Sequence, residues 1–276
     1  MRSSDQAVRS PDLLRMKRAG EKIAMLTAYD FTMARHLDRA GVDVLLVGDS
    51  LGMVMLGQSN TLSVTLDVIA HHTAAVSRAA ARALVVADMP FLSCHTGAAD
   101  AVRGAGRLVS EAGAHAVKVE GGRPVLEVVQ RLVEAGIPVM GHLGLTPQSI
   151  HQLGGFRKQA RDAAAATELL DSAHALQSAG AFAVVLELIP DQVAAEVTQS
   201  LEIPTIGIGA GPHCDGQVLV SHDALGLYDE FTPSFVKRFA ELGRQMSAAA
   251  ELYVREVRAG AFPAARTKAR SGDHSH

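Results

Sequence analysis

Eight short apolar runs recur along the chain, near residues 23–29, 43–49, 83–88, 115–120, 137–142, 182–188, 204–209 and 217–221. Runs of this length, bounded by Gly, Pro or Ser, read as strands buried on both faces of a parallel sheet. Between them lie stretches rich in Ala, Leu and Arg, among them 30–40, 66–83, 98–112, 125–135 and 163–179. Several of these stop at a glycine, Gly41, Gly113, Gly136 or Gly180, as helices commonly do. Eight strands alternating with helices predict an α/β chain folded as a (β/α)8 TIM barrel. A short N-terminal amphipathic helix is expected over 11–20, ended by Gly20. An open doubly wound sheet is the alternative.

No domain boundary shows, so one catalytic domain is expected over 1–265, followed by a disordered polar tail over 266–276. The longest irregular stretch, about 50–65, follows the second strand, where long loops tend to cover active sites. After Ala250 an oligomer-facing helix is expected. The chain has 276 residues and a net charge of −3 with both signs interspersed, which gives no footprint for nucleic acid or membrane. No run approaches the roughly 20 apolar residues that span a bilayer. The first ten residues lack the apolar core of a signal peptide. Cys94 and Cys214 are too few for a zinc site and make no disulfide framework, so a cytoplasmic enzyme is the expectation.

Four acids each close an apolar run: Asp49, Asp88, Glu120 and Glu187. In a barrel such strand tips converge on one mouth, where enzymes of this architecture keep their chemistry. Clustered buried carboxylates raise one another's pKa, and a hard divalent cation relieves them. Asp49 and Asp88 are the candidate ligands for Mg2+; Glu120, being longer, is expected to reach it through water. In the run 116–120, strand parity puts Lys118 and Glu120 on one face, inward in a barrel. That pair is either a structural ion pair or part of a ligand site. Ser50 adds a hydroxyl beside Asp49. His142 stands at the end of the fifth strand, as ligand, catalyst or structural residue. Glu187 has apolar residues on both sides, surroundings that suit a general base. Asp88 can also be read as a turn residue before Pro90, and Glu187 as a salt-bridge partner for a neighbouring helix.

The Gly-rich run 206–211 is not a dinucleotide fingerprint, because it follows the seventh strand and lacks the acidic partner. Its Gly209 and Gly211 are expected to make tight turns or to let a ligand approach the backbone. His71 and His72, in a helical stretch, read as packing or polar-face residues.

Seven segments in order then carry a resemblance: Met-Leu-Thr-Ala-Tyr-Asp (25–30), Val-Gly-Asp-Ser-Leu (47–51), Asp-Met-Pro-Phe (88–91), Val-Lys-Val-Glu-Gly-Gly (117–122), Gly-His-Leu-Gly-Leu-Thr-Pro-Gln (141–148), Ile-Gly-Ile-Gly-Ala-Gly (206–211) and Asp-Gly-Gln-Val-Leu-Val (215–220). From about Leu14 to Pro263 the chain resembles the ketopantoate hydroxymethyltransferase family, whose fold is similar to the phosphoenolpyruvate mutase and isocitrate lyase barrels. The resemblance implies transfer of a one-carbon unit from 5,10-methylenetetrahydrofolate to C3 of 3-methyl-2-oxobutanoate through a Mg-stabilised enolate. The implied product is 2-dehydropantoate, for pantothenate and coenzyme A synthesis. It further implies Asp49 and Asp88 as Mg2+ ligands with Glu120 completing the site. Ser50 and Lys118 would hold the substrate carboxylate, His142 would sit beside the substrate, and Glu187 would be the base. A homodecamer is implied as well. Two positions depart from the family pattern, Val119 and the run Ser93-Cys94-His95, and no segment marks a pterin pocket.

Three rival readings differ in what they require of the chain. A lyase of the isocitrate lyase type would carry a Cys-bearing lid motif, which is missing. A Schiff-base aldolase would use Lys118 as its nucleophile. A catalytically silent binding barrel would have no need of Asp49, Asp88, Lys118 and Glu187.

Overall fold

A computed structural model of the chain describes residues 6–155 and 157–264. Eight parallel strands run in sequence order: β1 (Ile23–Thr27), β2 (Val44–Val47), β3 (Leu84–Asp88), β4 (Ala116–Glu120), β5 (Val139–Gly144), β6 (Ala183–Glu187), β7 (Thr205–Ile208) and β8 (Gly216–Leu219). β8 pairs back onto β1 and closes the barrel. Closure removes the two free edges that the open-sheet alternative would leave.

Strand parity sorts the side chains. Val117 and Val119 of β4 face outward into the large apolar cluster shared with the surrounding helices. Ala116 faces inward with Met25, Val44, Leu46, Val86, Met140 and Val185, which fill the barrel. Val8 and, from the helix Ser10–Ala19, Leu13 and Met16 join that interior cluster. Lys17 of the same helix donates to the carbonyls of Thr198 and Ile203 and pairs with Asp215 at 2.9 Å. These partners precede β7 and β8, so the helix plugs the N-terminal end of the barrel. Asp38 stabilises the same end. Its buried carboxylate accepts from the N–H groups of Ala81, Arg82 and Ala83 just before β3. Polar groups at this end of a barrel serve stability, which leaves the opposite mouth for chemistry.

The expected helices form, with Asp30 and Asp162 as N-caps accepting from Met33 N and Ala165 N, each at 2.9 Å. The five glycines expected to stop helices, Gly20 among them, all take left-handed φ. The stretch 50–65 opens with a short helix, Leu51–Val54, before Thr65 caps the helix Leu66–Ala79. Where the sequence showed no boundary, contacts separate two compact units. The barrel unit runs to Ser221 and takes in Ser234–Val236. The second holds His222–Pro233 and the chain from Lys237, including the helix Leu242–Arg258. Its own bonds include Phe239 N to Ala224 O at 2.7 Å and Leu242 N to Leu225 O at 3.0 Å. Among the described residues no helix is long and apolar enough to cross a membrane. The tail expected over 266–276 lies outside the described residues.

At Gly144 the last residue of β5 has φ 91°, and a Cβ there would collide with the Glu187 carbonyl oxygen and lie 2.8 Å from Ile189 Cγ2. Backbone strain and overpacking each cost on the order of 1–3 kcal/mol. Gly144→Ala should therefore lower the denaturant midpoint by an amount in that range or above. A midpoint equal to wild type would show that β5 and β6 are not packed this closely.

Candidate active site

Asp88, Lys118, Glu120, His142 and Glu187 all have inward parity at the C-terminal ends of β3 to β6. Register makes neighbours of Asp88 and Lys118, and of Glu120 and His142. The inward direction expected for Lys118 and Glu120 is thus observed, and both are buried. Asp49 arrives differently. It lies two residues past the end of β2, where the chain turns at Gly48. A Cβ at Gly48 would lie 3.0 Å from Ser50 Oγ and 3.3 Å from Asp88 Oδ2, so the small residue lets the turn fold over Asp88. The Asp49 N–H donates to Asp88 Oδ2 at 2.9 Å.

Lys118 Nζ sits at the centre, 2.9 Å from Asp88 Oδ1, 3.5 Å from Glu120 Oε1 and 3.1 Å from His142 Nδ1. His142 Nδ1 also lies 3.2 Å from Glu120 Oε1, and Nε2 lies 3.1 Å from Glu187 Oε2. Nδ1 can donate to Glu120 or accept from Lys118, not both, and the charges decide which. Burial works to raise the Glu120 carboxyl, but Lys118 and His142 outweigh it and hold it at about 2. Burial and Lys118 work to lower the His142 imidazolium, but Glu120 and Glu187 outweigh them and lift it to about 9. His142 is therefore cationic near neutrality and donates Nδ1–H to Glu120. Burial also opposes the Lys118 ammonium, yet Asp88, Glu120 and Asp49 hold it above its ordinary value.

The aspartates go the other way. Burial, then Asp88 and Glu120, push Asp49 well above the usual carboxylate range. Burial raises Asp88 too, against the pull of Lys118. The mouth thus gathers four carboxyl groups around two side-chain cations. Asp88 Oδ1, although buried beside Lys118, has no well-aligned hydrogen-bond donor. Among the described residues no three His, Cys, Asp or Glu side chains form a ready-made metal cage. Two short hard-oxygen ligands at neighbouring strand ends still match Mg2+, which takes one or two carboxylates and completes its shell with water and substrate oxygens. Both oxygens of Glu120 are engaged, Oε1 by His142 and Oε2 by the Gln148 N–H at 3.1 Å.

Sequence reasoning missed several partners. Tyr29, buried after β1, places its hydroxyl 2.9 Å from Ser50 Oγ. His72, expected as a packing or polar-face residue, reaches the Tyr29 carbonyl at 2.6 Å. Gln148 joins three strand ends, and only its place in the 141–148 segment hinted at this. The wholly apolar surroundings expected for Glu187 are not found. Its side chain is 17 % exposed and faces the His142 imidazole. The glycines after β7 serve packing: a Cβ at Gly209 would lie 2.8 Å from Phe235 Cδ1, and one at Gly211 2.5 Å from Asp191 Cγ.

The fold is similar to that of solved barrels described as members of the phosphoenolpyruvate mutase and isocitrate lyase superfamily. Phosphoenolpyruvate phosphomutase from Streptomyces platensis subsp. rosaceus superposes with a TM-score of 0.61 at 16 % identity, over 91 % of this chain and 88 % of that one. A phosphonopyruvate hydrolase solved with oxalate and Mg2+ gives 0.61 at 12 % identity, over 92 % and 88 %. At these identities the likeness is one of fold. The sequence goes further: the ketopantoate hydroxymethyltransferase family model matches residues 7–265. Curated 3-methyl-2-oxobutanoate hydroxymethyltransferases from Moorella thermoacetica and Syntrophus aciditrophicus are 58 % and 56 % identical, over 92 % and 90 % of this chain and 94 % and 91 % of theirs. The chain belongs to the ketopantoate hydroxymethyltransferase family, enzymes that transfer a hydroxymethyl group in pantothenate synthesis.

Removing the central ammonium leaves buried carboxylates without compensation, a loss of about 3–5 kcal/mol for a broken buried pair. Lys118→Met should lose stability of that order at pH 7. The depressed Glu120 value contributes stability above its unfolded 4.5 and loses it as pH falls toward about 2. The gap between variant and wild type should therefore narrow below about pH 4.5. Unfolding curves at pH 7 and pH 3 check this; an equal gap at both would place Lys118 outside the carboxylate network.

Proposed function

We propose that this mouth catalyses proton removal from C3 of 3-methyl-2-oxobutanoate and its attack on the methylene carbon of 5,10-methylenetetrahydrofolate, with Mg2+ held by Asp49 and Asp88. The observation that carries the reading is the gathering of four carboxyl groups around Lys118 and His142. A divalent cation bound there supplies compensating charge and a Lewis acid for the keto oxygen of the substrate. The oxalate and Mg2+ of the phosphonopyruvate hydrolase lend support, since a 2-oxo acid presents a similar pair of oxygens.

The chain's own residues divide the remaining work. The Ser50 hydroxyl, anchored by Tyr29, donates to the substrate carboxylate, and Lys118 compensates its charge in a water-poor pocket. Glu187 Oε1 or Oε2 takes the C3 proton, and the electron pair passes into the enolate. His142 Nε2, 3.1 Å away, steadies the Glu187 carboxylate before transfer. Carbon–carbon bond formation at C3, with the methylene C–N bonds broken, water supplying the hydroxyl oxygen and tetrahydrofolate leaving, gives 2-dehydropantoate. Glu120 acts behind this line, holding His142 and Lys118, and would complete the site of a bound cation. No lysine imine is needed, because Lys118 stays protonated between its acids.

The reading includes a cytoplasmic homodecamer. In the second unit the helix Leu242–Arg258 buries none of its residues, although Met246 and Tyr253 are 62 % and 58 % exposed. Such an apolar face calls for cover, and another copy of the chain provides it. Light scattering should give the mass of ten chains; a monomer would rule this out.

NMR of 3-methyl-2-oxobutanoate in D2O tests the chemistry. Protein with Mg2+ should wash out the C3 proton, EDTA should stop it, and Glu187→Gln should slow it 10²–10⁴-fold, the usual worth of a general base. Glu187→Gln should bind the keto acid as wild type does. Unchanged exchange in that variant would move the base elsewhere.

A further inference from the structure

Gln148 lies in the tight turn Pro147–Ser149 that follows β5. Its Nε2 is 3.0 Å from Asp49 Oδ2 and 2.9 Å from the Met89 carbonyl oxygen. Its backbone N–H donates to Glu120 Oε2 at 3.1 Å. The Met89 carbonyl is an acceptor only, so the amide has one allowed orientation; flipped, it would set oxygen against oxygen. A residue after β5 thereby ties down the chain after β2, the chain after β3 and the end of β4.

Asp49 needs such a tie. The terminal torsion of an aspartate is soft and broadly distributed. Its carboxylate neighbours Asp88 and Glu120 are of like charge and cannot anchor it. Among the described residues, Gln148 supplies the hydrogen bond to its carboxylate and Oδ1 receives none. We infer that Gln148 is a positioning residue that pins Asp49 through Oδ2 and so presents Oδ1 to the cation. The inference rests on the cation site proposed above. Partners of this kind orient ligands that would otherwise rotate, and their loss typically weakens metal binding ten- to a hundredfold.

Gln148→Met keeps the length of the side chain and the backbone N–H to Glu120, and removes both donated bonds. Gln148→Asn keeps the amide but draws it back by one methylene. Mn2+ binding in the presence of 3-methyl-2-oxobutanoate, read by electron paramagnetic resonance, and thermal midpoints of the metal-free proteins separate the possibilities. The expected result is a tenfold or greater rise in the Mn2+ Kd for whichever variant folds, with a midpoint near that of wild type. A lowered midpoint with unchanged Mn2+ affinity would make Gln148 structural and overturn the inference. Wild-type protein that binds no Mn2+ would instead overturn the cation site itself.

Discussion

The rest of the site depends on one buried ammonium. Lys118 enters the barrel interior from β4 and stands 2.9 Å from Asp88 and 3.5 Å from Glu120. Burial alone would strip its proton, and the surrounding carboxylates reverse that. In return it holds Glu120 ionised, and the Glu120 anion in turn keeps His142 protonated. His142 then reaches Glu187 on the next strand. A chain of opposite charges thus runs around the mouth from β3 to β6, each member setting the state of the next.

The chain of charges does not close. Asp49 lies at its open end with a carboxyl pushed up by burial and by its acidic neighbours. Buried carboxylates in excess of cations are costly, and few arrangements keep them. The hard dication proposed above would offset that excess and would also serve a 2-oxo acid. The same excess explains why Lys118 suits electrostatic work better than nucleophilic work.

Much of this was legible in the sequence. Eight apolar runs foretold β1 to β8, and period-2 parity put Lys118 and Glu120 inside because a strand of Ala116–Glu120 leaves no other choice. Asp88, Glu120, His142 and Glu187 followed as strand tips. What stayed hidden depends on contacts across the fold. The contact between Gln148 and Asp49 joins residues 99 apart, and the one between Tyr29 and Ser50 spans two strands. The spatial neighbour of Glu187 stayed hidden for the same reason: its apolar sequence neighbours say nothing of the imidazole that β5 brings beside it. The second compact unit left no compositional mark, since its helix Leu242–Arg258 reads like any amphipathic helix.

Calorimetric titration of the protein with Mg2+ and keto acid, in two buffers of different ionisation enthalpy, tests the central claim most directly. Carboxyls raised by burial must give up bound protons when a cation arrives, so binding should release protons and tighten as pH rises. Binding that releases none and ignores pH would mean that the cation sits elsewhere and that the acids at the mouth are balanced without it.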